Sequence, residues 1–435
     1  MSTAALPVEA AAESLCLESR VASLAHEYAS QWTATRPELP ALGVRVGLRA
    51  HFANARAAAR LLDELCTEAE RVPDGEEARR VFREAVRVRL QEFGAERLGW
   101  PAGYRRLLFG DAYFTASVTF AREARALAPD LPLDELWQAL RNVWIGNSLQ
   151  MLLDLPVGIR PGLFAYSMLY PLTDNLLDDP QLAGGAKRAF NDRFGRRLAG
   201  LPVDPQGPAE AAAFALVGRI ESEFPRGGSP EVYASLLAIH RGQVRSLAQQ
   251  DDPTLSDEDV LAISCEKGGS SVLADVHLVR REPSPHEERF AFGYGVFLQL
   301  LDDLQDVEAD LAAGHQTLFT RAASRGPLDA DTARLARFVD GVLDGQELLG
   351  PPALADRKDL IRRNCRSLLV GAVAEQPRRF TRRFRRTMEG QWPFSLRSLR
   401  RLRRRAESRF TEVGRSLHRR TGATSLLDWA LAQPA

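Results

Sequence analysis

Lysine is nearly missing from this chain: three stand in 435 residues, Lys187, Lys267 and Lys358, and arginine carries almost all the positive charge. The skew fits a codon bias, against which a lysine at any of these three positions stands out. Cysteine is scarce as well. Cys16, Cys66, Cys265 and Cys365 lie far apart and form no CxxC or CxxH pair. That spacing argues against a zinc site or a disulfide framework and for a reducing, cytoplasmic setting. No run reaches about 18 apolar residues, so no transmembrane helix is expected. The opening stretch MSTAALPVEAAAESL has no basic segment and carries Glu9 and Glu13, unlike a secretory signal. Excess charge is also lacking: 57 Lys and Arg balance 57 Asp and Glu, which speaks against a whole-chain polyanion binder, and no nucleic-acid partner is expected. With 45% hydrophobic residues the chain is not a disordered one.

What is present reads as helix. Ala, Leu, Arg and Glu dominate, apolar residues recur at three and four, and no stretch alternates long enough to require a strand. The expected fold is therefore all-α. Gly and Pro clusters at 156–162, 200–208, 225–230, 283–285 and 350–352 mark loops. They suggest an N-terminal helical region (1–100), a central core (101–345) and a C-terminal region (346–435). Sixteen arginines crowd between Arg378 and Arg420, interleaved with Phe380, Phe384, Trp392, Phe394, Leu396, Leu399 and Leu402. Two readings lead for this segment, ahead of nucleic-acid binding, for which no recognised motif or aromatic stacking platform accompanies the charge. One is a solvated basic helix pair packed on the core; the other is peripheral contact with an anionic membrane.

Two acidic segments, 128 residues apart, carry the chemistry. The first runs from Tyr170 to Pro180, YPLTDNLLDDP. On a helix Asp174 and Asp178 lie about 40° apart, on one face. The second, FLQLLDDLQD from Phe297 to Asp306, sits in a longer apolar run; Asp302 and Asp306 again share a face, with Asp303 beside them. Carboxylates set among Phe, Leu and Val must be paired or protonated, so they ask for a cation. Oxygen-only ligands point to Mg²⁺ completed by substrate phosphate. Each segment alone could be a helix cap or a solvated face, but acids that interrupt a core-type helix are harder to read that way.

These residues resemble a known family. FLQLLDDLQD is similar to the second aspartate-rich motif of trans-isoprenyl diphosphate synthases, F-Q-x-x-D-D-x-x-D, with one residue inserted; Gln299, Asp302, Asp303 and Asp306 fall on its polar positions. Gly242-Gln243 resembles that family's G-Q-x-x-D helix, with Ser246 at the Asp. CEKGGSSVLAD resembles its K-T-G helix, with Lys267 on the diphosphate-binding lysine and Gly268 on the Thr. Asp174-Asn-Leu-Leu-Asp178 then takes the place of the first motif, with Asn175 for its second Asp. The resemblance spans about residues 165–320. It implies an isoprenoid synthase-type bundle around a cavity, a homodimer, and Mg²⁺ held by Asp174, Asp178, Asp302 and Asp306. It also implies a catalytic set completed by Asp303 and a prenyl diphosphate substrate met by Lys267, Gln299 and Gln243. Arg193 and Arg241 are candidate diphosphate ligands. Tyr170 and Phe297, with Phe164, Tyr166, Phe292 and Tyr294, could line the cavity or be plain core.

Departures from the family matter too. No G-K-R segment precedes the first motif, and no lysines follow the second, where the chain reads ADLAAGHQTLF. Loss of an isopentenyl site fits a class I terpene synthase-like lyase acting on one prenyl diphosphate. Chain elongation by a prenyltransferase is the alternative, and a non-catalytic partner subunit keeping the fold is a third.

Overall fold

The computed structural model describes residues 8–178, 184–252, 254–345, 353–421, 427 and 429, and among them no strand occurs. The helices in chain order are α1 (Val8–Ala34), α2 (Leu48–Arg71), α3 (Glu76–Leu98), α4 (Ala102–Leu108), α5 (Asp111–Leu127), α6 (Leu133–Leu152) and α7 (Pro161–Asp178). Next come α8 (Gly184–Leu198), α9 (Pro208–Glu223), α10 (Pro230–Ser246), the single turn α11 (Ala248–Asp251), α12 (Asp257–Val279) and α13 (Pro285–Gln305). The chain ends with α14 (Val307–Ala313), α15 (Leu318–Arg325), α16 (Asp329–Asp344), α17 (Ala353–Glu375), α18 (Arg382–Glu389) and α19 (Leu396–Thr421).

Local chemistry fixes many of these ends. Pro208, Pro230 and Pro285 open α9, α10 and α13, where a missing N–H is harmless. Ser256 with Asp259, and Ser284 with Glu287, form reciprocal capping boxes at the starts of α12 and α13.

Packing divides the chain into two compact units. One comprises residues 1–38, 130–326 and 330–354; the other comprises 39–129, 327–329 and 355–435. In the first unit α12 is the central element. It packs on α13, α10, α1 and α6. Glycine makes the closest approach possible. A Cβ on Gly295 would fall 2.1 Å from the Gly268 carbonyl oxygen, and one on Gly268 would fall 2.4 Å from the Gln299 Cβ. No side chain fits between α12 and α13 at that level.

The first unit's core is apolar and aromatic, with Phe164, Phe292, Phe297 and Phe338 fully buried. In the second unit α19 lies along α2, burying Val413 and Leu417 against Cys66 and Ala69. No helix among the described residues is long and apolar enough to cross a membrane.

Candidate functional site

The register of the helices determines which residues can meet. Ser264 on α12 lies against Asp303 near the end of α13, and Gly269 lies against Phe292 earlier in it, so the two helices are antiparallel. Gly162 of α7 lies beside Leu278, and Tyr166 donates to the Ser271 carbonyl at 3.0 Å, so α7 is antiparallel to α12 as well. The C-terminal ends of α7 and α13 therefore face the same end of the bundle, where α12 begins. The side chains of Tyr170, Asp174 and Asp178 lie outside the described residues.

Three aspartates crowd the end of α13. Asp303 is 5% exposed and tethered through both oxygens: Gln299 Nε2 donates to one at 2.8 Å and the Ser264 hydroxyl to the other at 3.2 Å. Asp302 and Asp306, one turn apart, have no such side-chain donors among the described residues. Burial raises the Asp302 carboxyl, with Arg141 and Lys267 opposing. Burial and the Asp302 charge push Asp303 up to about 7 against the Gln299 hydrogen bond. Asp306 is raised to about 6 by desolvation and by Asp302 and Asp310. Two free carboxylates at i and i+4, all-oxygen and short of positive charge, make a donor set that fits a hard divalent cation.

Two contributors give little signal in the sequence. Arg141 of α6 lies within electrostatic reach of Asp302 and Asp306. Its only sequence signal is a charge opening the polar-dotted run RNVWIGNSLQ. Ser264 precedes Lys267 by three residues and so points to a neighbouring face. Lys267 itself is half-buried and acts on both Asp302 and Asp303. A Cβ on Gly242 would come within 3.1 Å of the Lys267 Cα, so α10 presses its Gly242-Gln243 step against the lysine's backbone.

Other candidates are engaged elsewhere. Arg193 forms a two-pronged ion pair with Glu210, which also accepts from the Gln206 N–H at 2.8 Å. Arg241 pairs with Glu18 at 2.8 Å. Both guanidiniums are thus held by carboxylates in this arrangement. Arg193→Gln should accordingly lower the urea midpoint, since it strands buried Glu210, while leaving turnover within about twofold. Parallel unfolding and kinetic measurements check this.

Among the aromatics, the Arg219 guanidinium covers the Phe164 ring at 3.9 Å, and Phe292 stacks on Tyr28. Phe297 is fully buried and stacks on Tyr294, 6.5 Å between centroids. Phe164 and Phe292 are thus core partners.

Two further polar clusters sit in this unit. Glu231, His277 and Glu288 place ligand atoms within 4.8 Å of one another, toward the other end of α12. Arg20 already bridges the two glutamates, at 2.8 and 3.4 Å, and supplies the positive charge there. In the interior, Asn142 Nδ2 donates to Ser167 at 3.1 Å and to Asp275 at 3.2 Å. Asp275 is fully buried, its second oxygen has no partner, and burial raises its carboxyl well above the usual range. Burial favours its neutral form in the fold, whereas the unfolded carboxyl ionises above about pH 4, so unfolding releases a proton and this group's contribution falls as pH rises. Asp275→Asn removes that slope. Its stability relative to wild type should climb by up to about 1.4 kcal/mol per pH unit above pH 4, read from urea melts across pH.

No protein-family profile matches the chain, and no curated protein matches it. Solved structures do. A geranyltransferase from Legionella pneumophila aligns over 74% of this chain and 99% of its own, at 14% identity and a TM-score of 0.35. A polyprenyl synthase from Caulobacter crescentus CB15, complexed with calcium and isoprenyl diphosphate, aligns over 76% and 98%, at 18% identity and a TM-score of 0.35.

Proposed function

We propose that the first unit is a divergent class I isoprenoid synthase that ionises an allylic prenyl diphosphate. The observation that carries this reading is the cluster at the α12–α13 end: unpartnered Asp302 and Asp306 beside tethered Asp303, with Lys267 and Arg141 in reach. Asp302 and Asp306, with Asp174 and Asp178 of α7, would hold Mg²⁺, which when bound neutralises charge on a departing pyrophosphate. Lys267 and Arg141 add positive charge where that negative charge develops. Gln299 and Ser264 hold Asp303 in one orientation. Phe297 and Leu300, fully buried on the same helix, would help keep water from the reacting carbon.

The lyase form is preferred to chain elongation. Elongation needs a second diphosphate site, and two of the basic residues after the first motif are held by carboxylates: Arg193 by Glu210 and Arg197 by Glu221 at 2.6 Å. The test is incubation with Mg²⁺ and allylic diphosphates of ten to twenty carbons, with and without isopentenyl diphosphate. Hydrocarbon or alcohol without the second substrate supports the lyase. A longer diphosphate supports the transferase. No pyrophosphate release under either condition refutes both and leaves the partner-subunit reading.

A further inference from the structure

The second unit carries a surface that the proposed chemistry does not use. Residues 39–62 contain four arginines and no Asp or Glu; residues 390–406 contain six arginines and none. The fold clamps these two acid-free stretches together. The Val46 N–H donates to the Gly390 carbonyl at 2.9 Å, and Asn54 Nδ2 to the Pro393 carbonyl at 3.0 Å. A His51 ring nitrogen meets the Trp392 carbonyl, also at 3.0 Å.

Two arginines of these stretches, Arg403 and Arg405, pair with Glu407 and Asp63, as Arg409 farther along α19 pairs with Glu412. Seven others on these stretches differ. Arg45, Arg49, Arg56 and Arg60 are exposed, as are Arg397, Arg401 and Arg404, and none pairs with a carboxylate among the described residues. Arg397, Arg401 and Arg404 recur at four and three and so share one face of α19.

Apolar side chains stand beside the arginines of the first stretch. Val44, Phe52 and Leu48 are 82%, 76% and 74% exposed, the most exposed large hydrophobics of the described residues. Leu48 and Phe52 share a face of α2, with Arg49 and Arg56 on its flank. An ordinary solvated surface intersperses charges of both signs and exposes fewer large apolar groups.

We propose that this patch docks the protein on the surface of an anionic phospholipid bilayer. The arginines would lie at the headgroup phosphates, and Val44, Leu48 and Phe52 would enter the acyl boundary. A nucleic acid would satisfy the arginines alone. The apolar side chains beside them favour the lipid surface. The proposal is independent of the catalytic reading.

The test is flotation of the full chain with vesicles of phosphatidylcholine alone and of phosphatidylcholine containing phosphatidylglycerol. Binding is expected only to the anionic vesicles and should weaken as salt is raised. The triple change Arg397→Gln, Arg401→Gln, Arg404→Gln should lower affinity roughly a hundredfold, at about fivefold per arginine. These positions are exposed, so far-ultraviolet circular dichroism should be unchanged. Phe52→Ser should weaken binding without altering the salt dependence. Equal binding to neutral vesicles overturns the proposal. So does failure to bind anionic ones, whether or not an RNA oligomer is retained.

Discussion

Replacing Asp302 with alanine should reduce pyrophosphate release from an allylic diphosphate by about a thousandfold or more, with the urea midpoint unchanged or raised. The two parts of this expectation have one cause. Asp302 carries a carboxyl raised by burial, has no hydrogen-bond donor of its own, and shares its helix end with Asp303 and Asp306. Such a group weakens the fold and is of use only when a cation and a diphosphate meet it. Removing one preorganised charge contact in a site of this kind costs on the order of 10²–10³ in rate, and loss of a metal ligand removes more than one such contact. Asp303→Asn should behave differently. Asp303 holds hydrogen bonds from Gln299 and Ser264, so its amide analogue must reorient one of them. A smaller rate loss with a stability change is the expected pattern. A structural role for Asp302 would give the reverse result, a lower midpoint with turnover intact.

Gly295→Ala should destabilise the first unit by roughly 3 kcal/mol, near the top of the range for overpacked cores. The added methyl would stand 2.1 Å from the Gly268 carbonyl oxygen and 2.9 Å from its carbon, both backbone atoms. Neither can move aside without separating α12 from α13. The same separation would shift Lys267 and Ser264 away from Asp302 and Asp303, so turnover should fall together with stability. Gly371 is the control. It lies inside α17 with nothing within 4 Å of an added Cβ, so alanine there should gain about 0.5–1 kcal/mol through helix propensity. Urea unfolding of both variants, paired with pyrophosphate-release kinetics for the first, separates the effects.

The helices and the acidic face of α13 are legible in the sequence because both depend on short-range periodicity. Asp302 and Asp306 share a face by arithmetic alone, and Pro285 with the Ser284–Glu287 pair announces the start of their helix. Arg193 and Arg241 show the limit. Sequence leaves both free for a diphosphate, because Glu210 and Glu18, their partners, lie 17 and 223 residues away and only packing brings them close. Arg141 is hidden for the converse reason: it acts on Asp302 across 161 residues of chain. The division into two units, one built from residues 39–129 and 355–435 together, likewise rests on contacts that no local pattern announces. The acid-free stretch at 39–62 is ordinary by itself. It gains meaning only when hydrogen bonds place it beside residues 390–393.

Whether the acidic end of α13 grips pyrophosphate through a metal is decided by calorimetric titration of inorganic pyrophosphate into the full chain, with and without Mg²⁺. Binding should require Mg²⁺ and disappear in a folded Asp302→Ala, Asp306→Ala double variant. Binding that ignores the metal, or that survives both substitutions at equal affinity, would contradict a metal-bridged diphosphate site.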